Sequence, residues 1–357
     1  MRRLRGNWHN MGDEREIQAR SFMVGDEPHC LICHKGTNSA FLEGFNAEYF
    51  RYVAEVHEKQ LEGENRGMAA IALRTGYYHA LETLFMLMFA GLQAPQAVPG
   101  WLLKCRPHQL RDIVEGIGKK EMKLVSTKWK LEKASWSDIS ELINGTLFQN
   151  RDDCAAMQKS FSDLWERFGQ DFVENFMVGE YNSFKHGFRA NMSTGPTISA
   201  TPPEGGEGVP FSLTSEFGSN FYSATKLTSV TGPGYDHVFQ LTFHHANMEP
   251  KQTAAALHMV AVSIKNVVSF LRFTNGLAKE VQICWPNRQE AFDVLPGNPG
   301  GLQYASITPR ICVPQEVLAD VTKARIIERL AAGAKMEIPP GKVAGVAVDG
   351  HITKNLA

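Results

Sequence analysis

No segment of the 357-residue chain is read as a membrane span. Its longest strongly apolar stretch, Thr83 to Leu92, is about ten residues, against the roughly 20 that a bilayer-crossing helix needs. That stretch reads instead as a buried core helix, and no membrane partner is expected. Cysteine is sparse: six residues, of which only Cys30 and Cys33 lie close together, which excludes the dense disulfide framework of a small secreted domain. The opening Met1-Arg2-Arg3-Leu4-Arg5 leads into Gly6-Asn7-Trp8 rather than an apolar segment, so no secretory signal is read and a cytoplasmic location is expected. Charge is balanced, 37 Lys and Arg against 38 Asp and Glu, which excludes a polyanion binder driven by bulk charge. No phosphate-cradling glycine loop, Gly-x-Ser-x-Gly elbow, His-Glu-x-x-His or dinucleotide fingerprint occurs. Several common enzyme classes lose support on that ground, though chemistry assembled from distant loops does not.

What is present is ordinary globular composition, 43% hydrophobic and 21% charged residues, enough for one large domain or two moderate ones. Charge is segregated locally. Lys104 to Lys133 holds nine Lys or Arg against four acids, and Ser135 to Glu180 holds nine acids against three bases; such blocks pair across helices, form solvated faces, or mark a local polyanion site. Residues 1–45 are polar and read as an irregular N-terminal segment. From Asn46 the period becomes helical, with Phe50, Val53, Val56 and Leu61 recurring. Helices are expected from about Met68 to Leu92, Pro107 to Ile117, Ser137 (as N-cap) to Asn144, from Asp152 or Asp153 through Phe168, and from Asp171 to Ala190. Residues 191–236 are rich in Ser, Thr, Gly and Pro, and about 191–246 reads as a β insertion, with Val238 to Phe243 its best strand. A helix returns after Pro250 and ends at Asn275-Gly276. Residues 277–357 read as a mixed extension: strands at Val281–Trp285 and Leu302–Cys312 flanking a turn-rich Pro296–Gly301, a helix from about Gln315 to Ala332, and a loosely held tail.

The chemistry concentrates in Glu180 to Arg189. At about 100° per residue, Met177, Tyr181, Phe184 and Phe188 gather on one side of a helix, and Asn182, Lys185, His186 and Arg189 on the other. An imidazole beside two cations and an amide suits the binding or cleavage of a phosphodiester; an ordinary amphipathic helix has the same pattern. This Asn-x-x-x-His-Gly segment resembles the signature helix of the HEPN superfamily, and Gly76 to Pro95, with paired tyrosines, His79 and Glu82, resembles an early helix of that fold. The resemblance spans roughly residues 46–275, allowing for the β insertion, and implies a mainly α, HEPN-like helical bundle, commonly homodimeric, needing no cofactor. It further implies action on RNA in a toxin or defence setting, either as a binding or dimerisation module or as a metal-independent ribonuclease. In catalytic members an arginine separated from the histidine by four to six intervening residues holds phosphate charge while the histidine moves protons. Here His186 matches the histidine, Asn182 stands four before it, and no arginine lies at the expected upstream position; Arg189 follows one turn later. The expected roles are therefore His186, Asn182 and Arg189 in catalysis, with Lys185, Tyr181, His79, Glu82 and Arg74 contacting substrate. Arg74 and His79 satisfy the Arg-x4-His spacing on a different helix, and His79 reads equally as a core histidine paired with Glu82.

Cys30 and Cys33, flanked by His29 and His34, have half the spacing of a structural zinc site, so a zinc-stabilised regulatory protein is a third reading. His237, His244 and His245 lie on or beside the expected strand, where neighbours face opposite sides, and are not expected to converge.

Overall fold

A computed structural model of the chain describes residues 17–145, 151–186, 189–193, 197–200, 211–214, 216–227, 238–285, 303–312, 321–333 and 342–351. These residues form a mainly α-helical protein with small antiparallel sheets. They divide into two compact units: unit 1 comprises residues 1–54, 76–174 and 257–295, and unit 2 comprises residues 55–75, 175–256 and 296–357.

Unit 1 begins with strands β1 (Ile17–Val24) and β2 (Glu27–His34), an antiparallel hairpin in register Val24↔Glu27. Gly25 opens its two-residue turn at φ +58°, a left-handed conformation that favours glycine. Helix α1 (Thr37–Gly44) follows. The expected irregular segment is thus regular from Ile17 onward. Its period-two signal is inverted: Gln18 and Arg20 face inward beside Phe22 and Val24, while Ile17 and Ile32 stand exposed. After α2 (Tyr49–Glu58), helix α3 (Arg66–Gln93) supplies the core. Tyr77, Leu81, Leu84, Phe85 and Phe89 are fully enclosed, each burial contributing about 1.5–3 kcal/mol. Phe85 lies 5.6 Å from Trp136 and 5.3 Å from Phe172, and Tyr78 stacks on Phe172 at 5.4 Å.

Helices α4 (Val98–Lys104) and α5 (Pro107–Gly118), the short β3 (Leu124–Val125) and β4 (Lys130–Leu131), α6 (Trp136–Asn144) and α7 (Arg151–Val173) continue unit 1. The N-cap of α6 is Ser135, not Ser137: its Oγ accepts from the Asp138 N–H at 3.2 Å while Asp138 Oδ2 accepts from the Ser135 N–H at 2.9 Å. This reciprocal pair of bonds sets the start of the helix. Helix α7 ends at Val173, so the expected Asp171–Ala190 helix is broken at Glu174, and Asp152 and Asp153 lie inside α7 rather than capping it. Helix α9 (Pro250–Thr274) buries Leu257, Val260, Ile264, Val267, Val268 and Leu271, as their spacing requires, and Gly276 closes it at φ +72°. It is long and apolar enough to cross a membrane by length and composition, exceeding the Thr83–Leu92 run, but 72% of its most apolar window is buried.

Residues 281–285 form no strand. Asn266 of α9 takes the ladder's place: its Oδ1 accepts from the Cys284 N–H at 2.8 Å and its Nδ2 donates to the Cys284 carbonyl at 3.0 Å.

Unit 2 is built on a five-stranded antiparallel sheet in the order β11-β10-β9-β8-β5, formed by β5 (Ala190–Ser193), β8 (Gly218–Lys226), β9 (Phe239–Asn247), β10 (Gln303–Cys312) and β11 (Lys342–His351). A separate hairpin joins β6 (Thr197–Ala200) to β7 (Phe211–Thr214). The β insertion and the C-terminal extension are therefore parts of one sheet, and much of the expected tail is its edge strand. Helix α8 (Asn175–Lys185) packs on β8 and β5, and a short α10 (Lys323–Ala331) precedes β11. The expected turn at Pro296–Gly301 and the start of the Gln315 helix lie outside the described residues.

Candidate functional site

Helix α8 sorts its residues by polarity, as the period demands. Phe176, Met177, Tyr181 and Phe184 are buried, Asn182 is half-buried, and Lys185, His186 and Arg189 are exposed; Phe188 lies outside the described residues. The helix ends at Lys185, one residue before His186. The His186 N–H donates to the Asn182 carbonyl at 3.0 Å, and the Arg189 N–H donates to the Ser183 carbonyl at 2.7 Å. Lys185 Nζ sits 5.2 Å from the Tyr181 ring centre, a cation–π contact worth about 0.5–1 kcal/mol at an exposed site. Tyr181 is thus a platform beneath Lys185 rather than a contact surface. The structure brings Asn182, Lys185, His186 and Arg189 together at one helix end. Among the described residues, nothing hydrogen-bonds the His186 imidazole.

The inward side of α8 carries a group that the two-face reading overlooked. Glu180 is 2% exposed; its Oε2 accepts from Arg74 Nε at 2.8 Å, and its Oε1 accepts from the Ser219 hydroxyl. Arg74 is itself 3% exposed, and its two terminal nitrogens are enclosed without partners among the described residues. An acid three residues after Met177 and four before Phe184 occupies a core position, which was the available signal. Arg74 is therefore an internal ion-pair partner, not a surface cation that meets substrate.

The Arg-x4-His spacing does not form a pair. Five residues turn a helix by about 500°, and His79 is exposed where Arg74 is enclosed. Nor is His79 a core histidine: its ring lies edge-on to Phe50 at 5.2 Å. Glu82 is half-buried near Cys105, and burial together with the Glu82 charge pushes the Cys105 thiol up to about 12. That thiol stays protonated at neutral pH and is chemically quiet.

The sheet's histidines face opposite sides, as expected. His244 is held by Ser223 and Ser306 hydroxyls, each at 2.7 Å, and stacks on Phe221 at 4.6 Å. His245, fully enclosed, contacts Asn220 Oδ1 at 2.6 Å and Asn247 Oδ1 at 2.9 Å. Burial holds both below the ordinary histidine range, with the Asn247 bond partly opposing this at His245. Both nitrogens of each ring are engaged, which suits a structural role; His237 lies outside the described residues.

Cys30 and Cys33 do not share a metal site. Both lie on β2, three residues apart, so their side chains leave opposite faces of the strand, and Cys30 is exposed where Cys33 is half-buried. Among the described residues no group of three His, Cys, Asp or Glu side chains could hold a metal ion. Among the described residues of unit 1, a cleft of about 690 Å³ lies against the β1–β2 hairpin and one of about 740 Å³ beside the Glu48–Lys265 ion pair, and α8 residues line neither. No protein-family model, curated protein or solved structure matches the chain.

Proposed function

We propose that the chain is a HEPN-like binding module that contacts RNA phosphates through the exposed end of α8, in a toxin or defence setting and as a homodimer. The observation carrying this reading is the joint exposure of Lys185, His186 and Arg189 beside half-buried Asn182, on a helix whose other side is anchored in unit 2. Lysine and arginine supply phosphate attraction, and the amide and imidazole supply hydrogen bonds that need no particular base. Binding is favoured over cleavage because a general acid or base needs a held imidazole, and among the described residues no side chain holds His186. The upstream arginine of the catalytic pattern is likewise missing.

Two or three cations predict weak, salt-sensitive binding, with Kd on the order of 10⁻⁴–10⁻⁶ M. Fluorescence anisotropy with a labelled single-stranded RNA should show affinity falling as salt rises. A Lys185→Ala/Arg189→Ala variant should bind weakly and lose roughly two units of the log–log salt slope. The same cations complement the dipole at the end of α8, so thermal unfolding of the variant separates loss of contact from loss of helix stability. Unchanged RNA affinity in a folded variant would remove the proposal. Chelator-resistant cleavage of mixed RNA, lost on His186→Ala, would replace it with the ribonuclease reading.

A further inference from the structure

Beyond the α8 surface, the cleft against the β1–β2 hairpin has the build of a small-molecule site. Its volume of about 690 Å³ lies within the 300–1,000 Å³ typical of ligand pockets. The wall mixes apolar side chains, Phe22, Pro95 and Val125 among them, with polar ones such as Ser21, Gln96 and Thr127. Four nitrogen-bearing side chains, Arg20, His29, Gln93 and Gln96, stand in that wall, and two of them carry the basic groups. Arg20 and His29 are diagonal neighbours on the inward face of the hairpin, since Arg20 pairs with Leu31 and Phe22 with His29; such positions are about 7–8 Å apart or closer. Arg20 Nη2 donates to Gln18 Oε1 at 2.7 Å, but Arg20 Nε and His29 Nε2 are both enclosed and lack hydrogen-bond partners among the described residues. Glu27 stands 3.8 Å from His29 Nε2, beyond hydrogen-bonding range, and is 61% exposed. Arg20 and His29 both line the cleft, and an enclosed nitrogen without a partner is costly.

We infer that this cleft binds a small organic anion, its oxyanion held by Arg20 and His29 and its flat apolar body lying along Phe22, Pro95 and Val125. Gln93 ties the hairpin turn to the end of α3, accepting from the Gly25 N–H at 3.1 Å and donating to the Gly25 carbonyl at 3.0 Å. A preformed site of this kind loses little on ordering a ligand.

Isothermal titration of the full chain with 1-naphthyl phosphate tests the assignment, with 1-naphthoate to distinguish phosphate from carboxylate and uncharged 1-naphthol as reference. Both anions should bind, the better one naming the headgroup, and 1-naphthol should bind roughly tenfold more weakly. Arg20→Gln and His29→Gln should each weaken anion binding roughly tenfold while leaving 1-naphthol unchanged, and Arg20→Lys should retain part of the affinity. RNA binding at α8 should be untouched, which keeps the two sites separately testable. Circular dichroism verifies folding; should Arg20→Gln unfold, Arg20→Lys and His29→Gln decide. Absence of binding to the unaltered chain, or equal binding of anion and 1-naphthol, overturns the inference, as does indifference of folded variants.

Discussion

At the scale of single residues, the most constrained charges are Arg74 and Glu180. Each is almost wholly removed from water, and each is tolerable only because the other is there. Breaking such a pair from one side typically costs about 3–5 kcal/mol, whereas replacing both partners with apolar groups is often neutral. Glu180→Ala should therefore destabilise the protein by that amount in urea unfolding, and the Arg74→Met/Glu180→Leu double variant should recover most of the loss. A double variant as unstable as the single would show that the ion pair is not the source of the constraint. The position was partly legible: an acid on the apolar stripe of α8 is a visible anomaly, but the partner lies 106 residues away, beyond any local pattern. The surface quartet of Asn182, Lys185, His186 and Arg189 was legible because helical period alone decides which side faces out.

At the scale of elements, α3, α5 and α9 follow their apolar periodicity closely, because each buries a stripe or its whole circumference. The β1–β2 hairpin escaped notice because its inward positions include Gln18 and Arg20 and its outward ones include Ile17 and Ile32, which cancels the alternation a strand is recognised by. Residues 281–285 carry strand-forming side chains yet spend their backbone bonds on Asn266 and Ser269 of α9, a tertiary choice invisible to local propensity. Close approach of elements is equally hidden. On α7, a Cβ at Gly169 would stand 2.8 Å from Trp136 Cζ2 and 3.3 Å from Val114 Cγ1. Gly169→Ala should thus lose about 1–3 kcal/mol by overpacking despite alanine's better helix propensity. A rise in the urea midpoint would mean that the indole yields freely.

At the scale of the whole molecule, acid should weaken the fold through His244 and His245. Burial depresses both below the ordinary value of 6.5, so on acidification the unfolded chain takes up protons before the folded one. Their contribution is complete above about pH 6.5 and is lost as pH falls below it, at up to about 1.4 kcal/mol per pH unit for each ring. Urea midpoints measured between about pH 7.5 and about pH 5.5 should decline, and His244→Gln should flatten that decline; an unaltered slope would assign acid sensitivity elsewhere. Secondary structure was more readable than its assembly, since strands 303–312 and 342–351 complete a sheet begun at 190–193. That arrangement has a consequence on the ribosome. The sheet is not complete until its last strand has emerged, so the nascent chain carries β8, β9 and then β10 with an unpaired backbone ladder until the following strand is made. Such exposed ladders invite pairing between neighbouring nascent chains, and aggregation during expression should be more sensitive to interruptions near the C-terminal strand than to changes in the helices made earlier.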